Sequence, residues 1–97
     1  MADFTFTAEL WEYGGKASWY FVTLPKDVSA DIKTIDGDNR RGFGSVRVRV
    51  IIQDVSWDTS VFPDSKSDAY VLPVKKEVRQ RCGLSAGDSV TVRIELL

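Results

Sequence analysis

The residues that could do chemistry are few. The chain has one cysteine, Cys82, and no histidine. Without an imidazole base, neither a Ser-His-Asp triad nor a Cys-His dyad can be assembled, and every His-ligated metal site is excluded. Cys82 falls near the C-terminus of an expected helix, where the negative dipole end disfavours a thiolate, so it reads as a packing residue. Asp36-Gly37-Asp38-Asn39 has the opening of a calcium loop but lacks the bidentate glutamate at its twelfth position, and reads as an exposed turn. Asp54, Asp58, Asp64 and Asp68 would support acid–base work only if the fold paired two of them. No glycine-rich phosphate cradle is present. No catalytic residue, metal or cofactor is therefore expected, and the chain reads as a non-enzyme.

What remains is binding. Trp11, Trp19 and Trp57, with Tyr13, Tyr20, Phe43 and Phe62, are many aromatics for 97 residues. Trp11 falls on the polar face of the first strand and Trp57 in a polar segment. A patch of Trp11, Trp57 and Phe62 is the expected site for a protein or small-molecule partner. The competing reading is that these rings cover barrel ends and hairpin seams. Thirteen Lys and Arg against 14 Asp and Glu give a net charge of −1, which argues against nucleic acid and anionic membranes as partners. Arg47, Arg49 and Arg93 on strands, with Arg40 and Arg41 in the loop, are the arginines outside the expected helices. Asp36, Asp38, Asp54 and Glu95 are interleaved with them, as on the solvent face of a half-buried sheet held by cross-strand pairs. Lys75, Lys76, Glu77, Arg79 and Arg81 likewise read as a solvated helix face.

The elements that must carry these residues follow from periodicity. A chain that is 43% hydrophobic and 28% charged makes one domain, 1–97, able to bury a core without disulfides. The single cysteine fits a reducing compartment. The start, Met1-Ala2-Asp3-Phe4, has no charged leader, and no run approaches membrane-spanning length, so a cytoplasmic monomer is expected. Phe4, Phe6, Ala8 and Leu10 alternate with polar residues as a half-buried strand. Gly14-Gly15 turns it into Trp19–Leu24, apolar enough to be covered on both faces. Pro25 ends that strand, Asp27 is a candidate N-cap, and Val28, Ile32 and Ile35 form one helical stripe. Residues 36–44 read as a loop and 45–53 as an alternating strand. Trp57–Phe62 reads as a short strand, followed by a polar turn from Pro63 to Asp68. Ala69–Leu72 returns, and Val74, Val78 and Cys82 share a helical face ended by Gly83 with Leu84 beyond. Gly87-Asp88 leads to the last strand, where Val90, Val92, Ile94 and Leu96 alternate with Thr91, Arg93 and Glu95.

Leu24-Pro25 leads through a helix to Ser45-Val46-Arg47-Val48, and Leu72-Pro73 leads through another to Ser89-Val90-Thr91-Val92. The chain therefore reads as pseudo-repeats of about 4–53 and 54–97. Each copy has apolar faces that it cannot cover alone. Pairing them predicts a mostly β fold: a small β-barrel with internal pseudo-two-fold symmetry and two short helices.

The run Leu72-Pro73-Val74-Lys75-Lys76-Glu77-Val78-Arg79 … Gly83-Leu84-Ser85-Ala86-Gly87-Asp88-Ser89-Val90 resembles the swapped-hairpin motif of AbrB-like regulators and MazE-type antitoxins. In those proteins two chains intertwine into a double-split barrel whose outer arginines and lysines contact DNA. The resemblance implies that one chain here supplies both halves, with DNA binding through Arg40, Arg41, Arg47, Arg49 and Arg93 as the alternative function. The whole chain is also similar to a bacterial domain family of unknown function found beside bacteriocin-resistance domains. That likeness rests on Phe-x-Ala-x-Leu in the first strand, Trp19 through Leu24-Pro25, Trp57 to Pro63, and Tyr70 to Val92. It implies a single-chain, mostly β fold, a small double-split β-barrel, and gives no activity.

Overall fold

The computed structural model describes residues 3–14, 19–36 and 44–97. The elements are β1 (Asp3–Tyr13), β2 (Trp19–Thr23), α1 (Lys26–Asp36), β3 (Val46–Ile52), β4 (Val55–Asp64), β5 (Ala69–Pro73), α2 (Lys76–Cys82) and β6 (Ser89–Leu96). The strands close into a barrel in the order β1-β2-β5-β4-β3-β6, each antiparallel to its neighbours. This is the small, mostly β barrel with two short helices expected from the sequence.

Alternation decides which side chains fill it. Val46, Val48, Val50 and Ile52 of β3, and Val90, Val92, Ile94 and Leu96 of β6, are buried, while Arg47, Arg49, Thr91 and Arg93 between them are exposed. Phe6, Leu10, Val22, Leu24, Val61 and Leu72 complete the interior. Each such side chain stabilises the fold by about 1.5–3 kcal/mol relative to an exposed one.

Leu24 and Pro25 separate β2 from α1, which begins at Lys26, so Asp27 lies in the first helical turn rather than at the N-cap. There its carboxylate favours the positive end of the helix dipole. Val28 and Ile32 are buried as expected, but Ile35 is 53% exposed and falls outside the stripe. The helix packs on β5, where the buried Ser29 hydroxyl accepts the Tyr70 N–H at 3.0 Å. Ile35 lies beyond that contact. The expectation that Trp19–Leu24 is covered on both faces also needs correction. Val22 and Leu24 are buried, yet Trp19 is 57% exposed and Phe21 and Thr23 are half-buried. The principal helix contacts are on β5 and β4, which leaves the outer face of β2 partly open.

β4 is longer than Trp57–Phe62 because pairing with β3 starts at Ile52 opposite Val55 and runs to Val46 opposite Val61. Gln53, at φ 56°, and Asp54 make the turn between them. α2 starts at Lys76, so Val74 precedes the helix, although Val74, Val78 and Cys82 are all buried. Gly83 adopts φ 65°, ψ 41°. Its N–H reaches Gln80 O at 3.4 Å, while Leu84 N–H reaches Arg79 O at 2.9 Å. This double bond pattern satisfies the last helical carbonyls. Gly87, at φ 93°, then turns the chain so that Leu10 N–H bonds Asp88 O and Gly87 N–H bonds Leu10 O. Gly15, the Gly37-Asp38-Asn39 stretch, Arg40, Arg41 and Phe43 lie outside the described residues.

Exchanging β1, β2 and β3 for β4, β5 and β6 leaves the list of neighbours unchanged. The registers agree too. With Leu24 set on Leu72, the pairs Leu10–Val22 and Pro63–Tyr70 place Leu10 on Pro63. With Ser45 set on Ser89, the pairs Phe4–Ile94 and Trp57–Val50 place Phe4 on Trp57, which is the same offset between β1 and β4. A two-fold relation between 4–53 and 54–97 would require that agreement.

Candidate functional site

The most chemically distinctive concavity lies where β2, β4 and the start of α2 meet. It is a groove of about 510 Å³ lined by Trp19, Tyr20, Trp57, Asp58, Thr59, Pro73, Val74, Lys75, Lys76 and Arg79. Volumes of this size accommodate small ligands. Tyr20 and Trp57 are partly buried and pack against the core, which fixes their rings. Val74 N–H donates to Tyr20 O at 2.9 Å, tying the segment that enters α2 to β2. The Arg79 guanidinium then lies 3.7 Å from the Tyr20 ring centroid, and its Nε donates to Val74 O at 3.2 Å. A flexible cation is thereby held flat in one orientation. Its terminal nitrogens pair with no carboxylate among the described residues. The one carboxylate in the groove, Asp58, is engaged by Arg49 in a two-point contact at 2.9 and 3.4 Å. Lys75 and Lys76 are exposed at the rim.

The patch expected at Trp11, Trp57 and Phe62 is differently disposed. Trp11 is half-buried on the outer face of β1, its ring 5.1 Å from Phe21 and its indole N–H donating to Thr23 Oγ1 at 2.8 Å. Tyr13 meets the same Phe21 ring edge-on at 6.5 Å. Phe62, 42% exposed, lies opposite Val71 on the outer face of β4. Trp57 lies opposite the buried Val50, so it turns to the other face of β4 from Phe62. The three residues thus occupy three places, and of them only Trp57 lines the groove. The sequence marks Trp19 and Tyr20 as part of a covered strand and Arg79 as part of a solvated helix face. No local pattern marks their convergence, which depends on β2 pairing with β5 and β5 with β4.

Two of the three described arginines on the sheet face, Arg49 and Arg93, are engaged with acids. Arg49 bonds Asp58, and this contact holds the Asp58 carboxyl below the usual carboxylate range and raises the guanidinium pKa. Arg93 contacts Asp3 at 2.9 Å and Glu95 at 3.4 Å. Arg47 reaches the Ser60 hydroxyl at 3.4 Å. Arg40 and Arg41 lie outside the described residues. The other acids serve turns: Asp64 accepts from the Ser67 hydroxyl at 2.7 Å, which lowers its pKa, and Asp88 accepts the Ser85 N–H at 2.8 Å. Burial, with Asp54 nearby, pushes the Cys82 thiol up. Its Sγ lies 3.8 Å from Ile52 O, as a packed thiol would. No group of three or more acidic or cysteine ligands suited to a metal occurs among the described residues.

The family model DUF1905, described as a domain of unknown function, matches residues 6–94. No curated protein matches the chain. Among the described residues, no helix is long and apolar enough to cross a membrane.

Proposed function

We propose that this chain, which belongs to the DUF1905 family, is a non-enzymatic binding module whose ligand enters the groove between β2, β4 and α2. The observation that carries the reading is the convergence of Trp19, Tyr20 and Trp57 with Lys75, Lys76 and Arg79 around one ligand-sized space. Rings with fixed planes supply contact area at small entropic cost, and a pinned guanidinium supplies directional donors. A monomeric, cytoplasmic, bacterial setting belongs to the same proposal and rests on the lone, buried Cys82 and the resemblances above. DNA binding, the alternative that the resemblance of residues 72–90 to swapped-hairpin regulators suggests, would use the outer arginines of the sheet. That reading gains no support, because Arg49 and Arg93 already pair with carboxylates.

Backbone and indole N–H spectra recorded against a library of neutral, anionic and cationic aromatic fragments test the proposal. Saturable shifts clustered at Trp19, Trp57 and residues 74–79 are expected. Shifts confined to other surfaces, or none from any fragment, would overturn it.

A further inference from the structure

Resting on that reading, we propose that the groove recognises a small planar oxyanion: an aromatic ring carrying a phosphate or a carboxylate. Three observations converge on this chemistry. Arg79 is immobilised by the Tyr20 ring beneath it and by the bond from Nε to Val74 O. A guanidinium has five N–H donors, so four on its terminal nitrogens remain for a ligand. Their fork matches the two oxygens of a carboxylate or phosphate.

The charge of the walls points the same way. Lys75, Lys76 and Arg79 face one acid, Asp58, whose charge is compensated by Arg49. The groove is therefore locally cationic in a chain of net charge −1. Such a chain has no general attraction for a polyanion, so recognition rests on a single anionic group at a single place. The rings complete the match. Trp19 is 57% exposed beside the groove, and Trp57 forms part of its wall. The face of Tyr20 that meets Arg79 is occupied, so the two indoles are the planes left to meet a ligand ring.

Titration of the intact chain at low salt, followed by its indole and backbone N–H signals, tests this. The probes are adenosine 5′-monophosphate, adenosine, ribose 5-phosphate, 1-naphthoate and 1-naphthylmethylammonium. At least one aromatic anion is expected to saturate the Trp19, Trp57 and Arg79 signals at about 1 mM or below. Adenosine and ribose 5-phosphate, each lacking half of the match, should bind at least about ten-fold more weakly than the nucleotide, a difference of about 1.4 kcal/mol. Binding of the nucleotide alone identifies phosphate as the anion, and binding of naphthoate alone identifies carboxylate. Arg79→Lys, which keeps the charge and loses the fork, should weaken the anion by about five-fold or more.

If adenosine or the naphthyl ammonium binds the groove as tightly as its anionic counterpart, the oxyanion inference fails while the binding module stands. If no probe or library fragment touches the groove, both fail. Should Arg79→Lys not fold, the ranking of probes on the unaltered chain decides alone, and equal affinities across it overturn the proposal.

Discussion

Arg79 stacks on Tyr20 with its guanidinium carbon 3.7 Å from the ring centroid, joining α2 to β2 across the mouth of the barrel. Contacts of this kind are worth about 0.5–2 kcal/mol, more as water is excluded. Tyr20→Leu and Arg79→Met should each lower stability, and the double variant should lose less than the two losses added together. A double-mutant cycle by urea denaturation gives the coupling directly. A coupling energy of zero would show that the stacked geometry contributes nothing.

Gln53 holds φ 56° in the two-residue turn between β3 and β4, and its Nε2 donates to Cys82 O at 3.0 Å. A non-glycine residue at positive φ costs free energy, and the cross-link to α2 offsets that cost. Gln53→Ala keeps the strained φ and removes the hydrogen bond, so it should cost about 0.5–1.5 kcal/mol. Gln53→Gly also removes the bond but relieves the strain, and should be about 1 kcal/mol more stable than the alanine variant. Thermal or urea denaturation of the pair checks the order. A glycine variant no more stable than the alanine variant would mean that the turn is unstrained.

Asp58 has its carboxyl pKa lowered chiefly by the hydrogen bond from Arg49, and Asp64 has its own lowered by the Ser67 hydroxyl. A carboxyl whose folded pKa lies below its unfolded value stabilises the fold above the unfolded pKa, near about 3.9 for an aspartate. That contribution disappears as the pH falls through the folded value. Asp58→Asn should therefore flatten the acid limb of the stability profile below about pH 4 and leave its shape above about pH 5 unchanged. Because Asp58 is exposed, the effect should shrink in high salt. Urea midpoints between about pH 2 and 6 measure it, and identical acid limbs for the two proteins would refute the linkage.

Much of this molecule could be read from neighbouring residues alone. The alternation of Val46–Ile52 and Val90–Leu96, the breaks at Pro25 and Pro73, the left-handed Gly83 with Leu84 beyond it, and the Gly87 turn are local patterns. Their physical cause lies within a few residues: side-chain period, a missing N–H, or freedom at positive φ. The closed, mostly β barrel follows from those strands, because each carries an apolar face and unpaired edges that only a neighbour can cover.

The site depends on contacts that no local pattern specifies. Trp57 looked like a surface aromatic beside Phe62, yet register with β3 turns it to the face of Val50. Trp19 and Tyr20 looked like a covered strand, and Arg79 like one more solvated charge. Pairing of β2 with β5 and of β5 with β4, with α2 seated against β4, brings them to one groove. Segments distant in sequence meet according to the register and closure of the whole barrel, and no short stretch encodes those alone. The barrel's elements and the absence of histidine chemistry are set by residue types and their local spacing. The fold decided which aromatics and cations share a space, because that is a property of the closed sheet and of no single strand.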